Sequence, residues 1–124
     1  MSLVLNGLQA LAVDLQSRTP DAMCGKPSLS VGVIYGGTNV SSVPEWCEID
    51  VARRTIPGEN CETVMAEYQQ VLDAISEIHP NFDCEICEPD LNVDPFDTSQ
   101  TSPIVMAMRQ ACRSVLGTEP TITA

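Results

Sequence analysis

Residues 36–59 read GGTNVSSVPEWCEIDVARRTIPGE, and this one stretch decides the fold. Two glycines open it, a Pro-Gly pair closes it, and residues 45–54 between them alternate as a strand does. Successive side chains of a strand point to opposite faces. Cys47, Ile49 and Val51 therefore share one side, and Trp46, Glu48, Asp50, Ala52 and Arg54 share the other. The apolar set is the core face. Arg53 continues that row and has to leave it at the sheet's end, whereas Arg54 lies on the open face with Glu48 and Asp50. Gly36 and Gly37 lack the lysine and spacing of a phosphate loop and read as a tight turn, and Pro57-Gly58 ends the strand.

Working outward, the apolar residues of Leu29–Tyr35 alternate as well, giving a preceding strand with one buried face. Upstream, Leu8, Leu11, Ala12 and Leu15 recur at helical spacing and predict a helix over 3–17. Downstream, Asn60 caps a long helix whose stripe is Val64, Tyr68, Val71, Leu72, Ile75 and Ile78, ending before His79-Pro80. Phe82, Cys84 and Ile86 alternate with Asp83, Glu85 and Cys87, which predicts a third strand. An irregular acidic linker over 88–100 follows, and then Ser102-Pro103 opens a last helix that stops at Gly117. The order α-β-β-α-β predicts an α+β fold, a two-layer sandwich with helices on one face of a sheet, plus a C-terminal helix.

Composition narrows the function. The 124 residues carry a net charge of −11, from 17 Asp and Glu against 6 Lys and Arg. Nucleic acid and anionic membrane both need clustered cations, so neither is an expected partner. No apolar run approaches the ~20 residues of a membrane span, and the N-terminal stretch does not read as a signal peptide. A cytoplasmic location is expected. The six cysteines are accordingly expected to be reduced and mostly buried.

The remaining candidates for chemistry are few. Cys84 and Cys87 would sit on opposite faces of a strand, so they cannot share a metal ion. His79, the one histidine, reads as a surface imidazole at a helix end, with no nucleophile motif beside it. Glu45, Glu48 and Asp50 read as a solvated acidic face. Arg54 remains. It can grip a carboxylate through two parallel hydrogen bonds, or it can pair within the sheet with Glu48 or Asp50.

Gly36-Gly37-Thr38, Val43-Pro44, Cys47, Arg54 and Pro57-Gly58-Glu59 together resemble the lid, or dimerisation domain, of a family of zinc-dependent hydrolases. That family includes acetylornithine deacetylases, succinyl-diaminopimelate desuccinylases, aminoacylases and carboxypeptidase G. The resemblance implies a ferredoxin-like lid over residues 1–90 that lacks its first strand. Residues 91–124 would be a linker and the start of a returning catalytic-domain segment. It implies a homodimer, with Arg54 holding the carboxylate of an N-acyl amino acid or peptide substrate. The family has an asparagine where this chain has Ser41, and Asn39 supplies the nearest amide, so both join Arg54 as candidate substrate contacts. Zinc is implied for the full-length enzyme, but no position here matches its ligands or the catalytic glutamate, and the chain alone is expected to be inactive. The alternative reading is a stand-alone protein-interaction module without catalysis. A sheet lacking a central strand leaves backbone groups unpaired, so the isolated chain is expected to be marginal, self-associating or rearranged.

Overall fold

A computed structural model describes residues 1–122. Its regular elements are α1 (Ser2–Ser17), β1 (Ser28–Gly36), β2 (Cys47–Arg54), α2 (Cys61–Ile78) and α3 (Pro103–Leu116). The fold is α+β, with α1 and α2 covering one face of an antiparallel β1–β2 hairpin. Such a hairpin is marginal by itself and needs a packed face. That face is supplied by Val4 and Leu8 of α1 and Leu72 of α2, against which Leu29, Val31, Ile49 and Val51 of the sheet pack.

Local chemistry places most boundaries. Asn60 and Thr63 form a reciprocal capping box at the start of α2, with Asn60 Oδ1 accepting from the Thr63 amide at 2.9 Å. Pro103 at the first turn of α3 and Gly117 at its end, in the left-handed region at φ 69°, bound that helix. Gly36 has a different reason to be glycine. A Cβ there would lie 2.9 Å from the Trp46 carbonyl oxygen, so only glycine lets the two strand ends approach.

Several sequence expectations are corrected. First, β1 does not alternate throughout. The pairing runs from Ser28↔Arg54 to Val31↔Val51, then slips at Gly32 so that Val33 faces Asp50 and Tyr35 faces Glu48. This bulge turns Val33 and Tyr35 onto the open face, where both are exposed, and places Ile34 on the side of Ile49. Second, residues 82–86 form no strand. Phe82 and Ile86 still pack on the core, but no strand lies alongside to take up the backbone N–H and C=O groups, and alternation alone cannot make a ladder. Third, the thiols are not mostly buried: Cys24, Cys47, Cys84 and Cys87 are exposed, and Cys61 and Cys112 are half-buried. Cys84 loses its expected place on the dry face with the strand. Ile78 also leaves the α2 stripe and is exposed.

Residues 88–99 carry no regular structure apart from a bend. None of the side chains of α3 is buried. Glu119 pairs with both Arg109 and Arg113, which draws the following residues back along the helix. Hydrogen bonds from Arg113 and then Arg109 hold the Glu119 carboxyl below the ordinary glutamate range.

The helix pair has one tight point. A Cβ on Gly7 of α1 would lie 2.5 Å from Val71 Cγ1 of α2. Valine in a helix is confined largely to one rotamer and cannot step aside. Gly7→Leu is therefore expected to destabilise the chain by about 1–3 kcal/mol, despite a gain of about 1 kcal/mol in helix propensity. Urea unfolding checks this, with Ala10→Leu on the exposed side of α1 as the neutral control; equal midpoints for the two variants would refute the close approach.

Candidate functional site

The two adjacent arginines of β2 have opposite environments. Arg53 does not leave the core row as expected: its side chain is only 5% exposed. A buried guanidinium has to be paired, and Glu59 and Glu67 provide the carboxylates. Arg53 Nη2 donates to Glu59 Oε1 at 2.7 Å and lies 3.4 Å from Glu67 Oε2, while Nη1 donates to the Arg54 carbonyl at 2.6 Å. Glu59 reaches this position through the turn Ile56-Pro57-Gly58-Glu59. Its amide donates to the Ile56 carbonyl at 3.0 Å, and Gly58 takes φ 94°, as the third position of a type II turn requires.

Arg18, just past the end of α1, extends the network. It donates to Glu67 Oε1 at 2.6 Å and to Asp14 Oδ2 at 2.9 Å. The hydrogen bond to Glu67 is the main cause that raises the Arg18 pKa above its ordinary value. Sequence reasoning missed Asp14, Arg18, Glu59 and Glu67. The available signal was Arg53 itself, because an arginine on a core row predicts carboxylates in whatever folds over it.

Arg54 points the other way, at the end of the open face and opposite Ser28. It is exposed, and none of the ion pairs or side-chain hydrogen bonds among the described residues engages its guanidinium. Pairing with Asp50 is prevented by distance, since four residues along a strand span about 13 Å. The fork of N–H donors is therefore left to solvent.

Asn39 and Ser41 lie in the loop that joins β1 to β2. Asn39 Oδ1 accepts from the Ser41 amide at 3.0 Å and from its hydroxyl at 2.8 Å, so the structure brings these two together. It does not bring them to Arg54. Their loop leaves from the Gly36↔Cys47 end of the hairpin and Arg54 sits at the Ser28 end, about 23 Å along the strand. Gly37, in the left-handed region at φ 73°, turns the chain out of β1 into the loop. His79 caps the end of α2 through its backbone and is exposed, as expected.

Among the described residues, no group of three or more His, Cys, Asp or Glu side chains could hold a metal ion. No helix there is long and apolar enough to cross a membrane.

Residues 1–80 match the model of the peptidase dimerisation domain family, that of the M20 peptidases. The chain belongs to that family. No curated protein matches it. The matched stretch contains α1, β1, β2 and α2, hence both arginines and the whole network, and stops short of α3. A role in self-association within metallopeptidases is what the dimerisation domain brings.

The contrast between the arginines is measurable on the isolated domain. Arg53→Ala leaves two carboxylates facing a buried void and is expected to cost about 3 kcal/mol. Arg54→Ala changes an exposed, unpaired side chain and is expected to stay within about 0.5 kcal/mol of wild type. Chemical denaturation of both variants decides it. Equal losses would mean that Arg54 is structural too.

Proposed function

We propose that this chain is the dimerisation and substrate-carboxylate-binding lid of a zinc-dependent amidohydrolase or peptidase of the acetylornithine deacetylase kind, inactive by itself. The observation that carries this reading is Arg54, a guanidinium on an open sheet face that the carboxylates of the described residues leave free while its neighbour pairs with two of them. A free, planar fork of donors matches a carboxylate through two parallel hydrogen bonds. The resemblance assigns that role to this position.

In such an enzyme zinc supplies an activated water at the scissile amide. The described residues do not gather a site for the ion, so zinc would be held by segments beyond them. Arg54 would bind and orient the carboxylate of an N-acyl amino acid or peptide, and holding one end of a substrate fixes the other relative to the reacting atoms. The separation of Arg54 from Asn39 and Ser41 along the hairpin fits a dimer, in which the two ends of one lid serve different substrate contacts or different subunits.

In the full-length enzyme, Arg54→Ala is expected to lower kcat/KM by roughly 10- to 100-fold through a raised KM, with zinc content unchanged, because a charge-assisted hydrogen-bonded pair is worth about 1.5–3 kcal/mol. Arg54→Lys should recover little, since an ammonium cannot reproduce the fork. Unchanged kinetics in both variants would leave dimerisation as the lid's role and remove Arg54 from the site. If the natural protein proves to be a short chain with no hydrolase segment, the interaction-module reading replaces this one.

A further inference from the structure

Between β2, the first two turns of α2 and the segment 89–95 lies a half-open cavity of about 140 Å³. Val51, Val64, Met65 and Leu91 give it apolar walls, and Arg53 and Tyr68 give it polar ones. Two atoms of those polar residues have no partner: Arg53 Nε and the Tyr68 hydroxyl oxygen are both buried without a hydrogen bond. Nε can only donate. The Tyr68 hydroxyl keeps its proton, because burial pushes its pKa up, and it too can donate. Both residues line the cavity, and two unmet donors call for an acceptor.

The sign of charge narrows what that acceptor is. The Arg53 charge is already met by Glu59 and Glu67, and Asp94 also lines the cavity, so an entering anion would find more negative charge than positive. A neutral carbonyl oxygen satisfies both donors without that penalty. The space is close to the volume that a benzene molecule fills in an engineered protein cavity, so the body attached to the carbonyl is small. Entry is through the covering segment. Among the described residues, no hydrogen bond involves residues 86–98, so this segment is held by apolar contact alone and can be lifted from the two donors it seals.

We infer that this cavity binds a small neutral amide, whose carbonyl oxygen accepts from Arg53 Nε and the Tyr68 hydroxyl and whose apolar part rests on Val51, Val64 and Met65. The site lies on the helix-covered side of the sheet and stands independently of the role of Arg54.

Titration of the whole chain with N-methylacetamide, followed by amide-resolved NMR, tests it. The expected result is a set of saturable shifts confined to β2, the start of α2 and residues 89–95, with acetate binding more weakly at the same place. Tyr68→Phe, which keeps the ring and removes one donor, is expected to weaken binding about fivefold. It should also raise the thermal midpoint of the unliganded chain, because an unpartnered hydroxyl leaves the interior. Met65→Trp, filling the cavity from the helix side, is expected to abolish the shifts. Non-saturable shifts, tighter binding of acetate, or full binding in either variant would overturn the proposal.

Discussion

Arg53 is the constraint around which the rest of the chain is arranged. A guanidinium keeps its charge at any ordinary pH, so placing it on the core row of a strand demands carboxylates from the elements that fold over that strand. Glu59 arrives by the type II turn after β2, Glu67 from α2, and Arg18 with Asp14 ties the end of α1 to the same point. One buried charge thus fixes where three elements meet. Ion pairs of this kind add little net stability over apolar packing, yet they penalise every arrangement that leaves the charge unpaired. The network selects the packing more than it strengthens it.

That selection matters because the apolar core is small. Val4, Leu8, Leu15, Val64 and Leu72 are its buried members among the described residues. Against them stand Arg53 Nε and the Tyr68 hydroxyl, two of the three buried side-chain groups without partners among the described residues, each costing about 1–3 kcal/mol. Domains hold only about 5–15 kcal/mol of net stability, so two such groups are a large fraction of what a core of this size can supply. The cost falls at the cavity beside α2, where the loosely held segment 86–98 provides the cover.

The legible parts of the sequence were those governed by neighbours along the chain. Asn60, Pro103 and Gly117 mark helix ends by chemistry local to a few residues, and the α1 stripe repeats at a fixed period. What failed depended on a partner far along the chain. The run from Phe82 to Ile86 has the alternation of a strand, but a strand exists only where a second backbone accepts its ladder, and alternation says nothing of that. The bulge at Gly32 was hidden for the same reason, since register is a property of two strands and β1 alone reads as regular. At the candidate site the opposite facing of Arg53 and Arg54 was plain from strand geometry. The carboxylates that hold Arg53 lie 6 and 14 residues further along the chain, across a turn and into α2, and could only be anticipated in kind.

The bulge also changes what the open face offers. Had β1 alternated throughout, Val33 and Tyr35 would lie under the helices and the face bearing Arg54 would be almost wholly polar. The slip at Gly32 instead places both on that face, opposite Asp50 and Glu48, with Trp46 exposed just before β2. An aromatic and aliphatic surface bordered by carboxylates suits burial against another protein surface, since large side chains supply contact area while rim charges set orientation. A dimerisation domain needs such a surface, and an arginine in the substrate-binding role proposed for Arg54 needs to stand at its edge rather than within it. Arg54, at the last pair of the ladder, occupies that edge. The residue that lets one sheet face serve both demands is the unpaired glycine of the bulge, which neither side chain chemistry nor spacing singles out.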